Sequence, residues 1–178
     1  PGCGRQRTYI RCKTDDPKAF RKSSHQTRLP PEQKALPHPP SPIQELVAHA
    51  KAGHLLLTNG PFLETTLRPS NGDIAVLPGD SIRAESGEVT LDVQVQSSNQ
   101  YDIDRIQVLI NGSRDAALDF RKDSDPDFFQ PGAMKFQRKL PLKLSKDAFV
   151  IIVASGYSVP LATKDKIRPA VAMTNPTW

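Results

Sequence analysis

The segment from His49 to Leu67, HAKAGHLLLTNGPFLETTL, changes its hydrophobic period at Gly53, and this change constrains the fold more than any other feature. Before Gly53 the apolar residues follow the 3.6-residue period of a helix. After it they follow the two-residue period of strands, at 54–58 and 62–67. Between these strands, Asn-Gly-Pro predicts a tight turn whose glycine, Gly60, lies in the left-handed region. A helix is therefore expected to lead directly into a β domain.

A helix is predicted from Pro42 to about Ala52, because both of its ends carry strong signals. Ser41 can cap the first turn, proline is favoured at the first helical position, and Gln44 stands where a capping-box partner belongs. Gly53 follows as a left-handed cap. The apolar side chains recur with helical spacing, at Ile43, Leu46, Val47 and Ala50. A single apolar stripe on so short a helix predicts that the helix packs against something larger.

The chain beyond residue 61 alternates between apolar and polar residues, as strands with one buried face do. The alternation is cleanest at 88–96, where the apolar positions are Val89, Leu91, Val93 and Val95. It recurs at Ile106, Val108 and Ile110, and again at Phe136, Leu140, Leu142 and Leu144. Asn111-Gly112 predicts a reversal, since both residues tolerate positive φ. Residues 148–154 are apolar on both faces, which predicts a strand in the middle of a sheet.

These strands, with no helical pattern between them, predict a mainly β chain. The spacing favours a two-sheet β-sandwich of the immunoglobulin-like kind. With 178 residues, 37% apolar and 24% charged, the chain is long enough to bury a core, and its 17 prolines make it rich in turns.

The net charge of +5 is concentrated at the start of the chain, where residues 1–40 hold nine Lys or Arg and three Asp or Glu. A basic arm can bind nucleic acid, but Tyr9 and Phe20 are its only aromatic residues and it contains no recognisable motif. We therefore expect no nucleic-acid partner. The sequence also has no apolar run that could span a membrane and no signal-peptide pattern. The compartment stays open, and export is compatible with the sequence.

Residues 13–41 contain many prolines and charges and few apolar anchors, which predicts an irregular, partly disordered insertion. Cys3 and Cys12 flank a predicted strand at 5–12. Because the ends of an extended stretch of this length are too far apart for a disulfide, two separate reduced thiols are expected.

The four histidines were considered as metal ligands. His25 and His38 lie in the proline-rich segment. His49 and His54 are five residues apart, and this spacing would place them about 140° apart on a helix. Surface histidines are therefore expected, with no zinc site inside this chain.

Asp123, Asp125 and Asp127, in the sequence DSDPD, have the alternate-carboxylate spacing of a calcium loop. Phe128 takes the place of the required glycine and Met134 that of the bidentate acid. An ordinary acidic loop is therefore favoured over a calcium site.

Three stretches together carry a resemblance to a known family. They are GCGRQRTYI at residues 2–10, the helix end "AG" with the TNGP turn that follows at 58–61, and DIDRIQVLING at 102–112. The chain resembles the C-terminal portion of the carbaryl-hydrolase-like metallohydrolases of the PHP superfamily. In that family a metal-binding barrel is followed by a "GR.RTY" strand, a "TNGP" turn and a β-sandwich.

The resemblance implies a division at residue 60. Residues 1–60 would form the end of a PHP-like barrel, with the proline-rich basic insertion at 13–41 and one helix at 42–52. Residues 61–178 would form an accessory β-sandwich. The metal-ligand motifs would lie upstream of Pro1, in the barrel, where zinc or manganese activates water for hydrolysis. This chain would need no cofactor of its own, would not be catalytic by itself, and would have that barrel as its partner.

The residues that match the family motifs are candidates for the seam with the barrel or for its substrate side: Arg5, Arg7, Tyr9 and Asn59. A guanidinium there could pair with a carboxylate or with an anionic group of a substrate. The alternative is that these side chains satisfy backbone groups and fix the seam.

A second hypothesis is a free-standing β-sandwich that binds a glycan or a protein at a loop end or on a sheet face. Sugars stack on exposed aromatic rings, and Trp178 and Tyr157 are the best candidates for that role.

Overall fold

A computed structural model of the chain describes residues 7–10, 18, 41–144, 147–159 and 167–178. The predicted insertion therefore lies almost wholly outside the described residues, as do Cys3, Cys12 and Arg5. The elements, in chain order, are β1 (Arg7–Ile10), α1 (Pro42–Ala52), β2 (Leu55–Thr58), β3 (Phe62–Pro69), β4 (Glu88–Gln96), β5 (Tyr101–Ile110), β6 (Ser113–Arg121), a 3-10 turn (Pro126–Phe128), β7 (Met134–Lys143), β8 (Val150–Ser158) and β9 (Pro169–Thr174).

The strands form two antiparallel sheets, which confirms that the chain is mainly β. The larger sheet has the order β1-β2-β9-β8-β5-β6, and the smaller has the order β3-β4-β7. One hydrophobic cluster is formed by both sheets. The smaller sheet contributes Leu63, Leu67, Val89, Leu91, Val93, Val95, Phe136, Leu140 and Leu142, and the larger contributes Leu56, Ile103, Ile106, Val108, Val150, Ile152, Ala154 and Ala172. The core therefore lies between the sheets, as in a sandwich.

Several sequence predictions are confirmed within this core. The four apolar residues of β4 are all buried, and their polar neighbours point the other way. β8, apolar on both faces, lies between β9 and β5 in the middle of its sheet. Asn111 and Gly112 turn the chain from β5 into β6 with φ angles of 53° and 75°. Their left-handed backbone is what the reversal signal predicted.

The predicted helix is confirmed at both ends. The Ser41 hydroxyl accepts a hydrogen bond from Gln44 N (3.3 Å), and the Gln44 side chain accepts one from Ser41 N (2.9 Å). Gly53 caps the other end with a φ of 82°. None of the helix side chains is buried, however, and Ile43 and Val47 are 39% and 43% exposed. Two residues of the apolar stripe of α1, Ile43 and Val47, thus stay exposed in the described structure, while Leu46 and Ala50 are half-buried.

The prediction for Gly60 is wrong, since this glycine does not have a positive φ. β2 and β3 are not a hairpin either, because they belong to different sheets. The Thr58 hydroxyl organises the crossing: it accepts from Gly60 N (3.0 Å) and donates to the Pro61 carbonyl. A Cβ on Gly60 would lie 2.9 Å from the ring of Tyr101, so glycine here favours the close approach of that ring rather than a positive φ.

β1 and β2 pair within the same sheet as strands from the second half of the chain. Tyr9 is opposite Leu56 in the β1–β2 ladder, and Leu57 is opposite Met173 in the β2–β9 ladder. Strands from both sides of residue 60 therefore share hydrogen bonds. The division of the chain at residue 60 stays a prediction.

Candidate functional site

The end of α1 is held against the loop before β4 by a close backbone approach. Gly79 has a φ of 99°, and a Cβ at this position would collide with the backbone of Ala52 and Gly53. The Asn175 side chain adds a hydrogen bond from its amide nitrogen to the Gly53 carbonyl (2.9 Å). The helix is thus attached to the sheets at its C-terminal end.

Three polar side chains form a continuous hydrogen-bonded chain at this attachment, which we call the histidine relay: His49, His54 and Asp80. The two histidine Nδ1 atoms are 2.7 Å apart, and His54 Nε2 lies 2.7 Å from Asp80 Oδ1. The expectation of separate surface histidines is therefore wrong. The helical angle does not apply to this pair because α1 ends at Ala52, and the left-handed Gly53 returns the chain toward His49.

Asp80 is fixed on both of its carboxylate oxygens. Oδ1 bonds His54, and Oδ2 accepts a hydrogen bond from Leu77 N (3.2 Å). Burial raises the pKa of Asp80, but the hydrogen bonds from His54 and Leu77 and the proximity of the histidines outweigh it, so the pKa lies below its usual value. Asp80 is therefore an ionised acceptor at neutral pH.

A mostly apolar cavity of about 400 Å³ borders His54, between β1, β2 and β3. Tyr9 and Phe62 form one wall, with their rings edge to face and their centroids 5.3 Å apart. Glu64 supplies a carboxylate to the lining. A cavity of this size and character can take one or two apolar side chains of a partner.

Of the four predicted seam residues, Arg5 lies outside the described residues, and the structure brings Arg7 and Tyr9 together but separates them from Asn59. Arg7 Nη1 donates to the Tyr9 hydroxyl at 3.5 Å, and this contact raises the pKa of Arg7. Asn59 bonds the backbone of β9 instead. Its amide nitrogen donates to the Pro169 carbonyl (3.0 Å), and its oxygen accepts from Val171 N (2.6 Å). Asn59 therefore fixes β2 to β9, whereas Arg7 and Tyr9 lie exposed on β1.

The acidic loop and the other described residues form no group of three or more His, Cys, Asp or Glu that could hold a metal ion. Within the DSDPD loop, Asp125 Oδ2 accepts hydrogen bonds from the Ser124 hydroxyl (2.9 Å) and from Arg121 N (3.2 Å). This carboxylate thus closes its own turn.

A second and larger groove, of about 650 Å³, opens at the end of the sandwich where Trp178 lies. The Trp178 ring packs on Phe149 with the centroids 5.1 Å apart. Asn111, Glu85 and Asp147 add polar groups to the lining. Tyr157 lies elsewhere, in a depression of about 300 Å³ on the larger sheet. The two aromatic residues predicted for sugar binding therefore do not share one site.

Among the described residues, no helix is long and apolar enough to cross a membrane. The family models, curated proteins and solved structures with which the chain was compared include none that matches it.

Proposed function

We propose that this chain is the accessory β-sandwich of a PHP-type metal-dependent hydrolase, attached through α1 and β1 to the domain that holds the metal and not catalytic by itself. The observation that carries the proposal is the exposed half of the apolar stripe of α1, Ile43 and Val47. An isolated helix of eleven residues is marginal in water, and most helical stability comes from burying an apolar face. A covering surface is therefore expected.

The surroundings of α1 are suited to such a surface. β1 ends the order of its sheet, so one side of this strand offers backbone groups for pairing or cover. Exposed apolar side chains lie on β1 and β3, at Tyr9 and Phe62, whose rings contact each other. The α1 helix contacts β1, so Ile43 and Val47 add apolar area in the same part of the molecule. We call these four residues, Tyr9, Ile43, Val47 and Phe62, the docking face.

The proposed occupant of the docking face is the catalytic barrel of the same polypeptide. The argument is that α1 and β1, which carry the docking face, are the elements that the family resemblance assigns to the end of that barrel. The barrel would hold the zinc or manganese ion and supply the hydrolytic chemistry. In this proposal the immunoglobulin-like sandwich is a rigid base that fixes the last barrel elements in place.

Two experiments test this proposal. The coding sequence upstream of Pro1 is read first, and we expect H-x-H and D-x-H metal-ligand motifs there; an unrelated domain would overturn the proposal. The upstream domain is then expressed separately and titrated with this chain. Ile43→Lys with Val47→Lys should weaken binding at least about tenfold, because two charges enter an apolar contact. Ile74→Lys, at an exposed apolar residue outside the docking face, is the matched control and should bind as wild type.

The groove at Trp178 favours a second candidate function, the binding of a neutral glycan. The Trp178 ring, which contacts Phe149 at an interplanar angle of 53°, offers a stacking surface, while the Glu85 and Asp147 carboxylates can accept hydrogen bonds from hydroxyl groups. The described lining contains no Lys or Arg, which disfavours anionic ligands.

Because Trp178 is the only tryptophan of the chain, its fluorescence reports directly on this groove. Titration with neutral glucan, xylan and mannan oligosaccharides should give a saturable change in emission. Asp147→Asn should weaken it, and Tyr157→Phe should leave it unaltered. An emission that no oligosaccharide changes would remove this candidate.

A further inference from the structure

We propose that the histidine relay is a pH-sensitive attachment for the end of α1, which keeps its hydrogen bonds when it takes up one proton and opens when it takes up a second. The inference is independent of the proposed function, since it concerns only how α1 is held to the sheets. It is carried by the geometry of the three side chains.

The two imidazole rings of the relay face each other head-on. Their centroids are 5.0 Å apart, which is about the 2.7 Å between the Nδ1 atoms plus the two ring radii. The Nδ1 atoms therefore lie close to the line between the centroids. This nearly linear arrangement is the one preferred by a hydrogen bond in which two nitrogens share one hydrogen. Two lone pairs directed at a common metal ion would instead converge on a point away from that line, so the geometry identifies a proton as the bound species.

The carboxylate determines the tautomer of both histidines in the neutral relay. Asp80 is an acceptor, so His54 Nε2 must carry a hydrogen and His54 Nδ1 must present its lone pair. His49 Nδ1 must then donate to that lone pair. The ring of His49 is left with an unprotonated Nε2. His49 is thus assigned the Nδ1–H tautomer.

The first added proton leaves both hydrogen bonds intact. The added proton binds His49 Nε2, so His49 becomes the cation and its Nδ1 still donates to His54. If the shared hydrogen then moves to His54, His54 becomes the cation, and it donates to Asp80 and to His49 Nδ1. In either state one Nδ1 donates, the other accepts, and the bond becomes charge-assisted. The relay also lies at the negative end of the α1 dipole, which favours a cation.

The second proton breaks the contact between the histidines. When both rings are cationic, both Nδ1 atoms carry a hydrogen and neither has a lone pair to accept one. Two like charges then face each other at 2.7 Å. The rings must separate, and the segment around Gly53 then depends on the Asn175 hydrogen bond and on the packing of Gly79. The end of α1 is loosened rather than detached.

The remaining titratable groups around the relay come from three elements. α1 contributes Glu45, one turn before His49, β3 contributes Glu64 at the cavity beside His54, and β1 contributes the titratable but neutral Tyr9 to the same cavity. These groups affect how readily the relay takes up protons. The contact between the two histidines is direct, however, so it is the contact that a second proton breaks.

The first test is imidazole ¹⁵N NMR on the wild-type chain at a pH high enough that the relay carries no added proton, which identifies the tautomer of each neutral histidine. The expected result is the Nδ1–H form for His49 and the Nε2–H form for His54. Because neutral histidines in water favour the Nε2–H form, the assignment of His49 is specific to the relay. An Nε2–H form for His49 would overturn the proposal.

The second test is hydrogen exchange of the whole chain at about pH 7.5, 6 and 4.5, corrected for intrinsic rates. Protection at residues 49–55 should fall at least about tenfold at the lowest pH, while β4 stays protected. His49→Gln should remove this pH dependence, because the second titrating ring is gone. Equal protection at all three pH values in wild type, or the same fall in His49→Gln, would contradict the proposal.

Discussion

β4 and α1 have equally clear amphipathic patterns in the sequence, yet their apolar faces are buried to different degrees in the structure. Val93 and Val95 of β4 have no exposed surface, whereas Ile43 and Val47 of α1 keep about two fifths of theirs. β4 has a hydrogen-bonded strand on each side and a second sheet over its apolar face. α1 is attached mainly at one end. A hydrophobic period therefore predicts which face is apolar, but it does not show what covers that face.

The largest effect should come from truncating a core side chain and comparing it with the docking face. Phe136 is fully buried and packs against Phe120 and Phe129, with centroids 5.8 and 5.4 Å apart. Phe136→Ala should cost about 3–5 kcal/mol of unfolding free energy. Val47→Ala should change it by less than about 0.5 kcal/mol. Urea melts measure both, and similar losses for the two variants would mean that α1 is packed as tightly as the core.

Two glycines extend the comparison to the backbone. A Cβ on Gly156 of β8 would collide with the backbone of Asp102 and Ile103 in β5, which cannot move independently. Gly156→Ala should therefore cost about 1–3 kcal/mol. Gly60→Ala meets only the Tyr101 ring, which can turn aside, so its cost should be smaller. If Gly60→Ala lowered the melting temperature more than Gly156→Ala, the backbone conformation at Gly60 would require glycine, and the explanation by Tyr101 alone would be wrong.

The sequence predicted the sandwich well because alternation is a local property. The limits of α1 and the turn at Asn111 were also predictable, since caps and left-handed residues act within a few positions. The assignment of β2 and β3 to different sheets was not predictable. It depends on the Thr58 hydroxyl and on Tyr101, which is distant in sequence. β6 and β9 were not predicted either, because neither sequence alternates regularly between apolar and polar residues, and pairing with β5 and β8 supplies much of their order.

The histidine relay was missed for a related reason. The angle of about 140° between His49 and His54 holds only if the helix continues to residue 54, whereas Gly53 is predicted to end it. Combining these two predictions would have brought the histidines together. Asp80 could not have been added, since its position depends on how Gly79 packs against the end of α1.

A smaller effect is expected from a charge pair between β5 and β6. Arg105 binds both carboxylate oxygens of Asp119. The hydrogen bond from Arg105 lowers the pKa of Asp119, so the stabilisation is present above the unfolded pKa of about 3.9 and is lost as the pH falls through the folded value. Asp119→Asn should cost about 0.2–1 kcal/mol at neutral pH. Urea melts should show the two proteins converging in strong acid; a constant difference would contradict the pair's role.

The smallest effect should have the opposite sign. Burial raises the pKa of Asp104, and the neighbouring charges of Asp102 and Asp123 add to the shift. The native state therefore disfavours the ionised carboxyl, and this penalty develops as the pH rises from the unfolded pKa through the raised one. Asp104→Asn should increase the melting temperature slightly at neutral pH and leave it unchanged in strong acid. A lower melting temperature at neutral pH would show that the carboxylate stabilises the fold.

The most direct measurement of the central claim is the accessibility of the docking face in the isolated chain and in the longer polypeptide that includes the proposed barrel. Cysteine is placed at Val47, or at the exposed control Ile74, on a background in which Cys3 and Cys12 are serine. Maleimide labelling rates are then compared between the two forms. The account predicts that the cysteine at position 47 reacts at least about tenfold more slowly in the longer polypeptide, because protein contact excludes the reagent, while the control is unchanged. Equal rates at position 47 in both forms would contradict it.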